Sequence, residues 1–277
     1  MAKALEDLTI MNDFLFGVVM RKEEFCKPLL EKILEVKIKK IVYAKDEVDI
    51  TAAVPGAKSV RLDVYVEDDN NTVYDIEVQT TNKRNLGKRT RYYQSMIDIR
   101  VLEAGQNYRK LKKSFVIFIC NYDPFGENRY IYTFQNHCNE NLDLVLDDEA
   151  TKIIINTKGK VGDISDELKA VIKYMDSGDA TDEYTEDLAK EVESVKFDEK
   201  VRKEYMLLAE AYAEQRMLER GRIYVRQIRK MMNQLSIDQI TFFLDITLPE
   251  CEEVINLIKE HPDWDDEQVA MEIDWED

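Results

Sequence analysis

Ser59-Val60-Arg61-Leu62-Asp63-Val64-Tyr65-Val66-Glu67 and Thr72-Val73-Tyr74-Asp75-Ile76-Glu77-Val78-Gln79 are two alternating runs separated by Asp68, Asp69, Asn70 and Asn71. A period of two is the pattern of a strand with unlike faces, and the Asp/Asn cluster is turn chemistry, so the stretch predicts an antiparallel hairpin. On the first run Val60, Leu62, Val64 and Val66 share one face, leaving Arg61, Asp63, Tyr65 and Glu67 on the other. On the second, Tyr74, Ile76 and Val78 oppose Val73, Asp75, Glu77 and Gln79. A connecting loop with an odd number of residues sets position 63 opposite 77 and 61 opposite 79. Two carboxylates then share a face with Cβ atoms about 4.5–5.5 Å apart, an unfavourable like-charge pair that a divalent cation would relieve. An even loop puts Asp63 and Glu77 on opposite faces and removes the site. The same pattern also describes acids on a solvated strand face, which is the plainer account of Asp75.

The chain around the hairpin has 277 residues, 44% of them hydrophobic, with nine Gly and five Pro. That is the composition of a globular protein, and the length predicts one domain of about 150 residues plus an extension. No apolar run reaches the roughly 18–20 residues that span a bilayer, and the Met-Ala-Lys-Ala-Leu-Glu-Asp start has no signal-peptide core, so no membrane partner and a cytoplasmic location are expected. Cys26, Cys120, Cys138 and Cys251 have no CxxC spacing and are expected to be free thiols. His137 and His261 lack partner spacing and are expected to be non-catalytic.

The net charge of −17 argues against nucleic acid only until it is divided along the chain. Residues 1–160 carry 25 Lys+Arg and 25 Asp+Glu, whereas 161–277 carry 14 and 31. Within the neutral part, ten basic residues between Lys83 and Lys113 stand against Asp98 and Glu103 alone, a local basic footprint directly after the hairpin. A solvated helix face with a basic loop is the bland alternative.

Taken in order, Asn12 or Asp13 caps a helix over 13–22, and a second helix over 27–36 has Pro28 in its first turn. A strand is predicted from Ile38 to Ala44, then loop or ragged strand to Lys58. Arg84 to Ala104 reads as a helix whose inward face is Leu86, Tyr93, Ile97, Val101 and Ala104, with Arg84, Lys88 and Arg91 on another face. Tyr92 and Tyr93 are expected to pack. Ser114–Cys120 is continuously apolar, as in a strand buried on both sides, and further strands are predicted at 130–134, 142–146 and 152–156. Beyond residue 160 the pattern turns helical: 163–175, an acidic stretch at 177–193, a long helix over 198–233, and short helices at 236–244 and 249–260. Residues 263–277 are expected to fray. The order predicts an α/β domain over 1–160, a mixed sheet flanked by helices, and an acidic helical extension over 161–277.

Asn12-Asp13-Phe14-Leu15-Phe16, Leu62-Asp63-Val64, Tyr74-Asp75-Ile76-Glu77-Val78-Gln79 and Lys88-Arg89-Thr90-Arg91-Tyr92-Tyr93 together resemble the pattern of the PD-(D/E)XK nuclease family transposases, the recombination-promoting nucleases. The resemblance runs over about residues 8–157 and more loosely into Leu235-Ser236-Ile237-Asp238-Gln239-Ile240. It implies a restriction-endonuclease-like core whose active site lies on the central hairpin. Carried onto this chain, Asp63 matches the metal-binding Asp, Glu77 the second acid, and Gln79 stands where the name-giving Lys is usual. Asp13 matches the acid of the N-terminal helix, and Gly17 stands where this branch often has Lys.

The implied activity is Mg²⁺-dependent hydrolysis of DNA phosphodiester bonds, with Mn²⁺ as a second usable ion. Asp63 and Glu77, with the Val78 carbonyl and Asp13, would hold the metal. Neutral Gln79 would position water or phosphate rather than act as a base. Arg84, Lys88, Arg89 and Arg91 would neutralise the DNA backbone. The alternative from another class is an inactive nuclease-fold protein that serves as a DNA- or protein-interaction module. The C-terminal helices are a candidate homodimer element through Tyr205, Leu208 and Tyr212, although the heptad fades near Gly221.

Overall fold

The computed structural model describes residues 3–43, 49–50, 60–273 and 275, in two compact units, Lys3–Arg202 and Lys203–Asp277. The first unit opens with α1 (Asp13–Met20) and α2 (Glu23–Leu34), then β1 (Ile41–Tyr43), β2 (Asp49–Ile50), β3 (Val60–Arg61), β4 (Val64–Asp68) and β5 (Val73–Gln79). It continues with α3 (Leu86–Val101), β6 (Ser114–Cys120), β7 (Ile131–Phe134), β8 (Ala150–Asn156), α4 (Asp166–Ser177) and α5 (Glu183–Lys196). A six-stranded sheet runs β1-β4-β5-β6-β8-β7, and β2 pairs with β3 separately. β5, β6 and β8 are parallel neighbours, while β1, β4 and β7 run antiparallel to theirs. This is the mixed, helix-flanked sheet of a restriction-endonuclease-like α/β fold.

The hairpin register follows from one side chain. Buried Asp68 accepts at Oδ1 from the Asn70 and Thr72 N–H groups (both 2.8 Å) and at Oδ2 from the Tyr74 hydroxyl (2.8 Å). Its own N–H meets the Thr72 carbonyl, and Asn71 takes φ 60°, a left-handed turn conformation that Asn tolerates. Asp68 and Thr72 therefore close a loop of odd length, with Val64 opposite Ile76 and Tyr65 opposite Asp75. The face carrying Asp75, Glu77 and Gln79 is covered by α3 through Leu86, Tyr93, Met96 and Ile97, packed on Val116 and Phe118 of β6. It is not solvated: Asp75 and Glu77 are both fully buried. The opposite face is covered by α1, which contacts β5 and is backed by α2 and α5, with α4 against α2.

Several local expectations shift for identifiable reasons. α2 begins a turn earlier than predicted, so Pro28 lies inside it; burial of Phe25, Cys26, Leu29 and Leu30 along one stripe outweighs the hydrogen bond a proline cannot make. α3 stops at Val101, leaving Ala104 exposed rather than on the inward face. Residues 142–146 form no strand beyond a single bridge between Val145 and His137. Of the predicted strand and loop over 38–58, Ile41–Tyr43 and Asp49–Ile50 are regular, and 44–48 and 51–59 lie outside the described residues. Cys26, Cys120 and Cys251 are buried free thiols, and Cys138 is partly exposed.

The helices after residue 160 divide between the two units, α4 and α5 belonging to the first. Long α6 (Glu199–Met231) is followed in the second unit by α7 (Ile237–Leu244), α8 (Leu248–Glu260) and α9 (Asp266–Met271). Ser236, Thr247 and Asp265 each cap a helix through a reciprocal bond with the third residue of its first turn. The end of the chain is not frayed over its described part. Trp275 is buried, donates from Nε1 to the Ala270 carbonyl (2.9 Å), and lies against Gly221, where a Cβ would run into the indole. Gly221→Ala is expected to cost about 1–2 kcal/mol by overpacking, read as a lowered midpoint in urea denaturation.

Candidate active site

β5 carries three acids and amides in a row on one face, and β4 brings a fourth group to them. Asp63, just before β4, donates its N–H to Glu77 Oε1 (2.9 Å), while its Oδ2 accepts from the Val78 N–H (3.2 Å). Each carboxylate thus holds the backbone of the opposite strand, Glu77 that of Asp63 and Asp63 that of Val78. Gly17 of α1 sits over this junction: a Cβ there would lie 3.3 Å from the Asp63 carbonyl oxygen. A residue without a side chain lets α1 approach the strand end closely, and that accounts for glycine at this position.

Glu77 is only 1% exposed at its side chain. Burial first, then the charges of Asp63 and Asp75, hold its carboxyl well above the usual carboxylate range, against the opposing pull of the Asp63 N–H and Arg89. Asp75, fully buried between Tyr65 and Val116, has no hydrogen-bond partner at either carboxylate oxygen. Burial and the Asp63 charge raise its proton affinity as well, with Arg89 opposing.

Arg89 is the cation among these acids. Its Nη2 donates to Glu77 Oε2 (2.9 Å) and to the Tyr93 hydroxyl (2.6 Å), and its Nη1 to Gln79 Oε1 (2.8 Å). The guanidinium carbon lies 5.0 Å from the ring centres of both Tyr93 and Phe118. Gln79 completes the cluster by donating Nε2 to the Tyr122 hydroxyl (2.5 Å) and the Thr81 carbonyl (2.9 Å).

Arg84, Lys88 and Arg91 are exposed; Arg89 turns inward instead. Its place was legible in the spacing, because it is three residues after Leu86 and four before Tyr93, both on the buried stripe of α3. Tyr122 lies beyond the end of β6 and carries no comparable signal. Asp13 is exposed in the first turn of α1, where Asn12 is the residue that caps by accepting from the Leu15 N–H. A cleft of ≈ 480 Å³ is lined by Asp13, Asp63, Val78, Gln79, Lys83 and Arg89 among others, so the N-terminal helix acid and the hairpin acid share one opening. His137 meets the Leu142 carbonyl on an exposed loop, and His261 stacks on Trp264; neither lines this cleft.

The family model for the PD-(D/E)XK nuclease family transposases matches residues 10–215, spanning the hairpin, α3 and the whole sheet. The chain belongs to that family. No curated protein and no solved structure matches it. Membership makes this a nuclease-family chain linked to mobile elements, in a group that generally uses divalent metal ions.

The residues present fit such an ion. Asp63, Asp75 and Glu77 stand against one guanidinium, the Asp75 oxygens have no hydrogen-bond partner, and the crowding of the three acids raises the proton affinity of Asp75 and Glu77, a cost that a cation would relieve. Among the described residues no three His, Cys, Asp or Glu side chains converge as ligands. The two carboxylates Asp63 and Glu77 are a sparse protein set, as suits an ion whose other positions go to water and phosphate.

Proposed function

We propose that this chain is a divalent-metal-dependent DNA endonuclease that hydrolyses phosphodiester bonds in recombination or in the movement of a genetic element. The observation that supports it most is the pairing of Asp63 with buried Glu77 across the hairpin, behind a cleft lined by Asp63, Gln79 and Arg89. Asp63, Glu77 and the Val78 carbonyl would hold Mg²⁺ or Mn²⁺, with Asp13 of α1 lining the same cleft. A bound ion would polarise the phosphate and lower the pKa of the attacking water.

The chain's own groups divide the remaining work. Gln79 is neutral and takes no proton; its Oε1 instead orients Arg89. Arg89, held over Tyr93 and Phe118 and lining the cleft, supplies beside position 79 the positive charge that a lysine there would carry. Tyr122 and the Thr81 carbonyl fix the Gln79 amide, so the pair is oriented before substrate arrives.

Incubation of supercoiled plasmid with Mg²⁺ or Mn²⁺ tests the proposal. Nicked or linear product that disappears with chelator is expected. Intact plasmid with either ion, alongside retained DNA binding, would favour the interaction-module alternative, for which the full engagement of the Gln79 amide is the motive.

Lys83 lines the cleft, and the exposed Arg84, Lys88 and Arg91 follow it in sequence into α3. Each Ala substitution is expected to weaken binding to all sequences alike and to reduce the slope of log affinity against log salt by about one. Fluorescence anisotropy across a salt series reads this directly.

A further inference from the structure

The basic footprint after the hairpin is divided in space. Lys83, Arg84 and Lys88 lie near the carboxyl ends of β5 and β6, where Gln79 and Cys120 are paired. Arg109, Lys110, Lys112 and Lys113 lie at the other end of the sheet: the Lys113 carbonyl accepts from Val73 N–H, and Ser114 pairs with Val73. The seven residues of β6 separate the ends by roughly 20 Å. The second basic group therefore stands apart from the cleft.

Beside it projects an arm over residues 135–149. The arm is ordered by its own bonds: Cys138 N–H to the Leu144 carbonyl (2.9 Å), Leu146 N–H to the Asn136 carbonyl (2.8 Å), and Asn136 Nδ2 to Asp148 (2.6 Å). Yet it buries almost nothing. Leu142 is 72% exposed, Leu144 56% and Leu146 67%. A structured loop that leaves three leucines in water has the character of an interaction surface. It also carries Glu140, Asp143, Asp147, Asp148 and Glu149 with no Lys or Arg, so its partner has to be apolar and basic.

The same chain presents that surface. A groove of ≈ 470 Å³ is lined by Lys110, Lys112 and Lys113 together with Asn70, Asn71, Gln106 and Glu149, and two half-buried apolar side chains, Val101 and Leu111, lie among them. Arm and groove are neighbours, since Ser114 N–H bonds to the Glu149 carbonyl. A two-fold axis at this end of the sheet would place each copy's arm in the other's groove, the reciprocal arrangement of an isologous dimer.

We infer that the 135–149 arm docks into the lysine-rimmed groove of a second copy of this chain, forming a symmetric dimer at the sheet end remote from the cleft. Leucines 142, 144 and 146 cover Val101 and Leu111, and the acids of the arm meet Lys110 and Lys113. The dimer is independent of whether the cleft cleaves DNA.

Sedimentation velocity on the full chain tests it. The wild type is expected to sediment as twice 32.5 kDa, with dissociation promoted by salt. Glu140→Lys with Asp143→Lys, and separately Lys110→Glu with Lys113→Glu, each weaken self-association at least about tenfold, because like charges then face each other. All four sites are on the surface, and circular dichroism confirms folding. Combining the four substitutions in one chain restores the dimer, and mixing the two double variants gives a mixed dimer. A wild type that stays monomeric at high micromolar concentration would overturn the inference. So would double variants that dimerise as the wild type does, or double variants that fail to complement each other.

Discussion

Asp63→Asn is expected to abolish plasmid cleavage to at least about a hundredfold below the wild type while leaving the fold intact. The amide keeps the size of the side chain and an oxygen that can accept the Val78 N–H, so the hairpin closure is preserved. What is lost is the negative charge that, in the proposed mechanism, would hold the cation beside Glu77. Calorimetric titration with Mg²⁺ should lose its binding signal in parallel, separating loss of the ion from loss of DNA. Asp13→Asn should cost less, since Asp13 is exposed in the first turn of α1 and its contribution is made across the cleft. Undiminished cleavage by a folded Asp63→Asn protein would place the chemistry elsewhere.

How much of this site could be read beforehand depends on which physical effect fixes each residue. The pairing of 63 with 77 hung on loop parity, and parity is set by Asp68 binding two backbone N–H groups and the Tyr74 hydroxyl. Asp in a turn is a visible signal; which of four polar residues closes the loop is not. Alternation separated the two faces of β5, but the first run breaks at Leu62-Asp63, so that Val60 pairs in the separate β2-β3 ladder and Leu62 packs on the α3 side rather than with Val64 and Val66. Nor could alternation say that α3 covers the acid-bearing face. Alternating acids on a wet face and on a buried face have the same spelling. Arg89 is the instructive case, because its spacing from Leu86 and Tyr93 put it on the buried stripe although its charge suggested the surface. Leu142, Leu144 and Leu146 err in the other direction: their alternation suggests a strand with one buried face, and the structure leaves all three in water. Trp275 was hidden for a further reason, since only the glycine at 221 makes room for it.

Asp75 and Glu77 turn the burial of Arg89 into an expected stability effect. Both carboxyls have proton affinities raised by burial, and the guanidinium is the group that opposes the rise in both. A carboxyl whose folded pKa exceeds its unfolded one binds more protons in the folded chain. It favours folding below the ordinary carboxylate range of about 4 and loses that contribution as pH rises through its folded value. Arg89→Met removes the positive charge while keeping an apolar body over Phe118. Glu77 then lies buried without its partner, and at pH 7 the loss should be about 3 kcal/mol. Toward pH 5 the loss should shrink, because both carboxyls then take up their protons at little cost. Urea denaturation of wild type and variant at the two pH values reads the difference. A loss of equal size at both would mean that Arg89 stabilises by packing on Tyr93 and Phe118 rather than by charge. Added Mg²⁺ should return part of the stability at pH 7, since a cation held by Asp63 and Glu77 supplies charge where the guanidinium no longer does.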